Sequence, residues 1–393
     1  MKILFVTNLF PYSENFEEDT NTKALYNLVK FWNEHVEVIR PLYVPAEIKG
    51  QINKSIFPYK RIFINNISVN ILPIFKIPKT NIYFYKPLLN YIIKKNMNPD
   101  VIISHRLHCA IGASKVAKYY KKPLIIGLHN TDILLLQNYK FKKYYSKIFE
   151  QAAAIACRSQ SILNEITNIY PQYINKSFIA FSGIEKSIIT FPKSNILKIE
   201  EWKGRTRPIR FITAARLVKV KNIDVNIKAL SMLKSYDWEY YILGEGSEMS
   251  YLRKLAFELG VSDRVFFLGK KSRKKVLEHM QFCDIFIMVS SPETFGLAYL
   301  EAMAKGCLVI GAYNNGIDGI VEDSVNGFLC EPGLIDELAK KIESIVNSSK
   351  AKLLEISNNA YSTILKYTEE AAANGYLEKV REVVNSNQNS QNK

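Results

Sequence analysis

Short apolar runs alternate with helical patterns along most of the chain, and this alternation constrains the fold more than any other feature. Each run suits a buried strand and is followed by apolar residues at helical spacing. Strands that alternate with helices form mostly parallel sheets, so we predict an α/β protein with doubly wound, Rossmann-like sheets. The runs are 3–6, 35–39, 101–103, 123–128 and 178–181 in the first half, and 209–213, 240–244, 265–269, 285–289 and 308–311 in the second half.

One interruption of this alternation predicts two domains. The interruption spans 182–208 and contains Gly183, Pro192, Gly204 and Pro208, which are residues typical of loops and linkers. We predict an N-terminal domain over 1–185, a linker over 186–208 and a C-terminal domain over 209–365. A helix over 366–384 and a disordered polar tail over 385–393 complete the prediction. Two such domains facing each other would place a ligand cleft at the carboxyl ends of their strands.

The net charge of +16 comes from one part of the first domain. Residues 48–149 hold 18 Lys and Arg against two acids, Asp100 and Asp132, whereas the rest of the chain balances. Aromatic residues are interleaved with lysines over 139–149, as in helices that lie on a bilayer. Attraction to an anionic membrane surface and simple solubility stay open as explanations. Nucleic acid is a third, but no motif supports it, so we expect no nucleic-acid partner.

The cysteines and the hydropathy pattern indicate the compartment. The five cysteines are widely spaced and include no Cys-x-x-Cys pair. We expect buried free thiols in a reducing cytoplasm rather than disulfides or a zinc site. No apolar run has the length of a membrane span, and the run 3–6 is too short for a signal peptide core. We therefore expect a cytoplasmic protein that can also lie at the inner face of the cytoplasmic membrane.

Two carboxylates flank the most informative segment, which reads as strand, short loop and helix over 285–304. The first turn of that helix has open backbone N–H groups, which can hold a phosphate. An anion there would have one carboxylate ahead of it and one behind. A nucleotide diphosphate sugar needs this arrangement, with amides for the diphosphate and carboxylates for the hydroxyls of the sugar and the ribose. The donor-binding residues expected here are Glu293, Thr294, Phe295, Gly296, Leu297 and Glu301.

Arg216 and Lys221 follow the strand 209–213 and share one strand-to-helix loop. Arg can clamp a diphosphate through two parallel hydrogen bonds, and Lys acts on it as a point charge. Such fixed cations stabilise the charge that builds on a departing nucleotide diphosphate. The sequence has no Asp-x-Asp pair to hold a metal. We therefore expect a metal-independent reaction without cofactors, in which the protein itself supplies the cations.

The spacing of Glu293 and Glu301 resembles the Glu-x7-Glu signature of family 4-type glycosyltransferases, which have the GT-B fold. The continuation over 301–310 and the Arg-Leu-x-x-x-Lys pattern that contains Arg216 and Lys221 are also similar to that family. The resemblance implies retaining transfer of a sugar to an acceptor hydroxyl, with Glu301 on the ribose and Glu293 on the sugar and phosphates. It also implies that the last helix returns to the first domain.

His129 ends the first-domain strand 124–128. Its segment resembles the His-Gly-Ser/Thr-Asp run of the family, with Asn130 in place of Gly, and the resemblance places His129 beside the sugar and the acceptor. A structural role, in which His129 and Asp132 cap the next helix, is the alternative.

Three further positions are weaker. Gly244, in a Gly-Glu-Gly run after a strand, favours a turn that the donor can approach closely. The resemblance places the backbone of Lys270 at the nucleobase. The loop 8–20 lacks the Gly-Gly pair that the family often carries there, so we assign it no donor role.

The sequence thus predicts a hexosyltransferase-type glycosyltransferase. We expect it to use a nucleotide diphosphate sugar and a glycan or lipid-pyrophosphate-linked acceptor, in cell-surface polysaccharide or glycolipid synthesis. The basic region 48–149 would contact an anionic membrane. An epimerase or phosphorylase on the same fold, or a non-catalytic membrane-surface-binding protein, are the alternatives.

Overall fold

The computed structural model describes residues 1–11, 23–45, 59–76, 83–190 and 193–391. It divides into two units. The first unit comprises Met1–Arg158, Ile162–Ser182 and Glu370–Lys393, and the second comprises Ser159–Ser161 and Gly183–Glu369. Part of the loop 8–20, from residue 12 on, lies outside the described residues.

Nine described strands form the sheet of the first unit, in the order β3-β4-β2-β1-β6-β7-β8-β9, with β5 beside β4. Only the pairs β3–β4 and β4–β5 are antiparallel among the pairs described there. The strands are β1 (Lys2–Val6), β2 (His35–Pro45), β3 (Lys60–Ile64), β4 (Ile67–Lys76), β5 (Tyr83–Phe84), β6 (Val101–His105), β7 (Leu124–Leu128), β8 (Ala154–Cys157) and β9 (Ser177–Ile179). The helices are α1 (Lys23–Val29), α2 (Lys86–Lys94), α3 (Leu107–Tyr120), α4 (Asn130–Leu136), α5 (Tyr139–Gln151) and α6 (Gln160–Ile169).

The sheet of the second unit contains six described strands, all parallel, in the order β12-β11-β10-β13-β14-β15. They are β10 (Ile209–Ala214), β11 (Trp238–Leu243), β12 (Val265–Gly269), β13 (Ile285–Ile287), β14 (Leu308–Ala312) and β15 (Phe328–Cys330). The helices are α7 (Lys193–Lys203), α8 (Ile223–Ser231), α9 (Met249–Glu258), α10 (Arg273–Phe282), α11 (Leu297–Ala304), α12 (Ile335–Asn347) and α13 (Lys350–Ile364). The predicted α/β class with two Rossmann-like sheets is confirmed, and β15 adds one strand to the five predicted here.

The segment 186–208, predicted as a linker, belongs to the second unit, and this is a correction. It contains α7, whose Ile199 and Trp202 are buried in the core of that unit. Lys198 Nζ donates hydrogen bonds to the carbonyl oxygens of Cys283 and Lys305, at 2.7 and 3.2 Å. The break signal at Gly204 marks the end of a helix, because the Gly204 N–H bonds back to the carbonyl oxygen of Glu200.

The last helix, α14 (Glu369–Gln391), extends beyond the predicted end at 384 into the tail predicted to be disordered. Its apolar residues are buried in a core of the first unit, which anchors the helix, and the polar residues 385, 386, 388 and 389 continue it in exposed positions. The Trp32 Nε1–H donates to the carbonyl oxygen of Ala373 at 2.9 Å. Among the described residues, no helix is long and apolar enough to cross a membrane.

Candidate active site

The two predicted carboxylates lie on either side of the start of α11. Glu293 is in the loop after β13, and Glu301 is on the helix itself. Gly296 caps the helix with φ 80°, and a Cβ there would lie 2.5 Å from the Tyr299 ring, so the turn requires glycine. In the described part of the chain, the backbone N–H groups of 295–297 make no hydrogen bond to the protein.

Glu293 is held by three groups of the second unit. The Lys221 ammonium forms an ion pair with Glu293 Oε2, and the Ser290 hydroxyl donates to the same oxygen at 3.3 Å. The Thr294 N–H donates to Glu293 Oε1 at 3.0 Å. The structure thus brings together two residues that are 72 positions apart and that the sequence assigned to one site.

The backbone conformation of Asn222 fixes the loop that carries Lys221. Asn222 has φ 50°, in the left-handed region that Asn tolerates better than most residues. Its side-chain amide donates to the carbonyl oxygen of Val289 at 2.8 Å, which ties this loop to the end of β13. Arg216, in the same loop, is exposed, and no described side chain forms an ion pair with it. Its guanidinium is available to an anionic ligand.

Glu301 is paired with Arg273, a residue that the sequence reasoning missed. Arg273 Nε lies 3.0 Å from Glu301 Oε1, and Arg273 Nη1 lies 2.6 Å from Glu185 Oε1. Burial raises the pKa of the Glu301 carboxyl, and the Arg273 guanidinium acts against that rise. The pair therefore keeps a half-buried carboxylate ready to accept hydrogen bonds.

Gly244 and Lys270 lie together beside the Arg216 loop. Gly244 has φ 138°, and a Cβ there would lie 1.8 Å from the carbonyl oxygen of Ala215, so only glycine allows this approach. The Gly244 N–H donates to the carbonyl oxygen of Gly269 at 2.9 Å, which places Lys270 at the same edge of the sheet.

His129 lies in the first unit, where it caps α4. Asp132 accepts hydrogen bonds from the backbone N–H groups of His129 and Leu107, at 2.9 and 3.1 Å. His129 Nε2 lies 3.1 Å from His105 Nδ1, and His105 Nε2 lies 3.1 Å from the Tyr376 hydroxyl on α14. Burial, together with nearby cationic groups, lowers the pKa of His129, and burial lowers the pKa of His105. The lowered pKa values favour the neutral form of both imidazoles at pH 7.

Two family models match the chain over almost all of the two sheets. The description "Glycosyltransferase Family 4" matches residues 34–176, and "Glycosyl transferases group 1" matches residues 196–363. The chain belongs to the family 4-type glycosyltransferases. The glycosyltransferase is of the hexosyltransferase type, and its fold is GT-B.

Curated relatives and solved structures agree with this assignment. The glycosyltransferase is 25% identical to N-acetyl-alpha-D-glucosaminyl L-malate synthase of Bacillus anthracis, over 74% of this chain and 75% of the relative. It is 24% identical to alpha-monoglucosyldiacylglycerol synthase of Acholeplasma laidlawii, over 86% and 89%. The lipopolysaccharide core biosynthesis glycosyltransferase LpsE of Rhizobium meliloti is 32% identical to this chain, over 42% of this chain and 48% of the relative.

Among solved structures, Anabaena HepE in complex with UDP is similar in fold, with a TM-score of 0.74 and 21% identity over 97% of this chain and 100% of that one.

Within the described residues, no cluster of three or more His, Cys, Asp or Glu side chains could hold a metal ion. All five cysteines are buried and free.

Proposed function

We propose that the glycosyltransferase transfers a sugar from a nucleotide diphosphate sugar to an acceptor hydroxyl, with retention at the sugar carbon and without a metal. The observation that carries this proposal is the Lys221–Glu293 ion pair beside the open N–H groups of 295–297. A diphosphate can accept hydrogen bonds from those N–H groups, and it can replace Glu293 as the partner of the Lys221 ammonium. The carboxylate is then released toward the hydroxyls of the sugar.

The transfer breaks the bond between the sugar carbon and the terminal phosphate oxygen, and the acceptor oxygen forms the new bond to that carbon. The proton of the acceptor hydroxyl passes to the departing diphosphate. Negative charge builds on the diphosphate as the first bond breaks. The Lys221 ammonium and the amides at the start of α11 are fixed in place before this charge appears, which lowers the barrier, and the exposed Arg216 guanidinium adds positive charge from the same loop as Lys221. These groups supply the positive charge that a metal would supply in other enzymes.

Glu301 is the proposed ligand of the ribose hydroxyls, and Gly244 and Lys270 contribute backbone contacts to the nucleoside. Burial raises the pKa of Glu301, and the Arg273 guanidinium opposes that rise, which favours the carboxylate form that the ribose hydroxyls would bind. In the first unit, His129 is proposed to line the acceptor side as a neutral imidazole.

The proposed acceptor is a glycan or a lipid-pyrophosphate-linked sugar at the inner face of the cytoplasmic membrane, in cell-surface polysaccharide or glycolipid synthesis. Helix α5 supports this proposal, because Lys140, Lys143, Tyr144 and Lys147 are exposed on one face while Tyr145 and Phe149 are buried on the other. Tyr139, at the start of the helix, is 74% exposed. Such a face suits the headgroup layer of an anionic bilayer.

A thermal-shift screen of UDP-, GDP- and ADP-sugars tests the donor proposal, since a ligand that binds the folded state raises its melting temperature. The expected result is stabilisation by one nucleotide class, with transfer that persists in excess EDTA. Loss of transfer in EDTA that magnesium restores would refute metal independence. A product formed without any acceptor would indicate an epimerase instead.

Co-sedimentation with vesicles that contain anionic lipid tests the membrane proposal. We expect the doubly substituted variant Lys140→Glu/Lys143→Glu to lose vesicle binding while its turnover of a short soluble acceptor stays unchanged. As a matched control, Lys350→Glu/Lys352→Glu makes the same charge change on exposed positions of α13. Equal vesicle binding by both variants would refute the proposal.

A further inference from the structure

Arg158, immediately after β8, is a buried cation that forms an ion pair with no described carboxylate. It is only 2% exposed. Its Nη2 donates to the Ser182 hydroxyl, and its Nη1 has no hydrogen-bond partner in the described part of the chain. Burial lowers the pKa of Arg158 to about 10, so the side chain stays protonated at neutral pH.

Asp132, a buried acid at the same edge of the sheet, is already engaged elsewhere. Asp132 accepts hydrogen bonds from the backbone N–H groups of His129 and Leu107, and its Oδ1 lies 3.4 Å from Arg106 Nε. Arg106 has φ 80°, a backbone conformation that is costly for any residue other than glycine. The charge of Asp132 therefore compensates Arg106, and no described carboxylate compensates Arg158.

The groups around Arg158 are neutral or lack partners. Burial and the Arg158 charge both lower the pKa of His105 and of His129, so the two imidazoles lie within electrostatic reach of Arg158. The Ser104 hydroxyl, at the end of β6, is buried without a hydrogen-bond partner among the described residues. The register pairs Leu128 with Cys157 and Ser104 with Ile126, so these groups share the carboxyl edge of one sheet.

A buried charge destabilises the folded protein by several kcal/mol unless an opposite charge lies beside it. A water molecule can accept a hydrogen bond from the free N–H group, but it cannot neutralise the positive charge of the guanidinium. A buried arginine with an open N–H group is the side chain that best matches a carboxylate or phosphate in proteins.

We propose that Arg158 binds an oxyanion, a carboxylate or a phosphate, carried by the acceptor. This inference rests on the proposed transfer reaction, because it names the chemistry by which the first unit selects its acceptor. The neutral imidazole of His129 lies on the neighbouring strand end, where it faces the acceptor once its anion is held.

The test uses the full-length protein and two probes, inorganic phosphate and malonate, against potassium chloride at equal ionic strength. We expect one probe to raise the melting temperature of the wild type by several degrees more than chloride does. The probe that acts identifies phosphate or carboxylate as the anion. In Arg158→Gln this stabilisation should disappear, while the variant without added anion should melt no lower than the wild type. Arg61→Gln removes the same charge from an arginine that is 48% exposed in the same unit, and it should respond like the wild type.

A wild type that responds to both probes as it does to chloride would overturn the proposal. So would an Arg158→Gln variant that keeps the stabilisation. If Arg158→Gln does not fold, Arg158→Lys serves in its place. This variant keeps the positive charge but loses the two parallel N–H donors of the guanidinium, so we expect it to bind the probe about tenfold more weakly. Equal affinity in Arg158→Lys and the wild type would also count against the proposal.

Stabilisation by UDP, measured in parallel, reports the donor site separately. Loss of the UDP response with a retained anion response would refute the proposed function alone.

Discussion

Arg207→Met should destabilise the second unit strongly, although its position falls in the segment predicted from sequence to be a linker. Arg207 Nη1 and Nη2 donate to the two carboxylate oxygens of Asp284 at 2.7 and 2.8 Å. The Asp284 side chain is 1% exposed, and its one other described hydrogen bond comes from the Arg210 N–H at 2.9 Å.

The magnitude follows from the carboxylate that the substitution leaves behind. Removal of one partner of a buried ion pair costs about 3–5 kcal/mol, because the remaining charge is buried without compensation. The second ion pair of Arg207, with the half-exposed Glu201, adds at most about 1 kcal/mol. In Arg207→Lys, one charge stays but the two parallel hydrogen bonds do not, so an intermediate loss is expected.

Native-state hydrogen exchange of the β10 amides measures this loss, since core strands exchange through opening of the whole unit. A loss of 3–5 kcal/mol corresponds to about 10²- to 10⁴-fold faster exchange. Arg205→Met is the matched control, because Arg205 is exposed in the same segment and has no described ion pair. Equal exchange rates in Arg205→Met and Arg207→Met would refute the reasoning, and would restore the interpretation of 186–208 as a linker.

Three further predictions concern the candidate site and its support. Lys221→Met should lower kcat about 10²- to 10³-fold with an unchanged circular dichroism spectrum, and near-normal turnover would exclude Lys221 from the site. Arg273→Gln should raise the already elevated pKa of Glu301 further. The folded state then keeps a proton that the unfolded state releases, so urea unfolding at pH 4 to 7 should show stability falling more steeply with rising pH than in the wild type. Tyr376→Phe should cost about 1–2 kcal/mol in urea unfolding, because it leaves the buried His105 Nε2 without its partner, and no loss would contradict that hydrogen bond.

The clearest strands in the sequence are those buried on both faces. All residues of β6 and β7 are buried, so each strand is a continuous apolar run. The β3–β4 hairpin was not predicted from the sequence, because apolar and polar residues alternate only weakly along β3, where the apolar Phe63 is exposed. Its turn is Asn65–Asn66, with φ 44° and 70°, and lacks the glycine that usually marks such turns. The three-residue strand β15 is too short to give a pattern.

The candidate site also contains residues that the sequence could predict and contacts that it could not. Glu293 and Lys221 follow neighbouring strands β13 and β10, so their common edge could be predicted from strand order alone. The contact of Arg273 with Glu301 depends on how α10 and α11 lie against each other, which no local pattern encodes. The link from His105 to Tyr376 joins positions 271 apart and depends on where the last helix packs.

Helix α14 makes the core of the first unit depend on residues that are synthesised long after its strands. During translation, the strands that surround Trp32 leave the ribosome long before Ala373, Tyr376 and Val380 exist to cover them. A nascent chain must therefore expose this apolar surface until α14 has been made. A stop codon ahead of α14 would leave the core around Trp32 uncovered, although the codons for that core are intact.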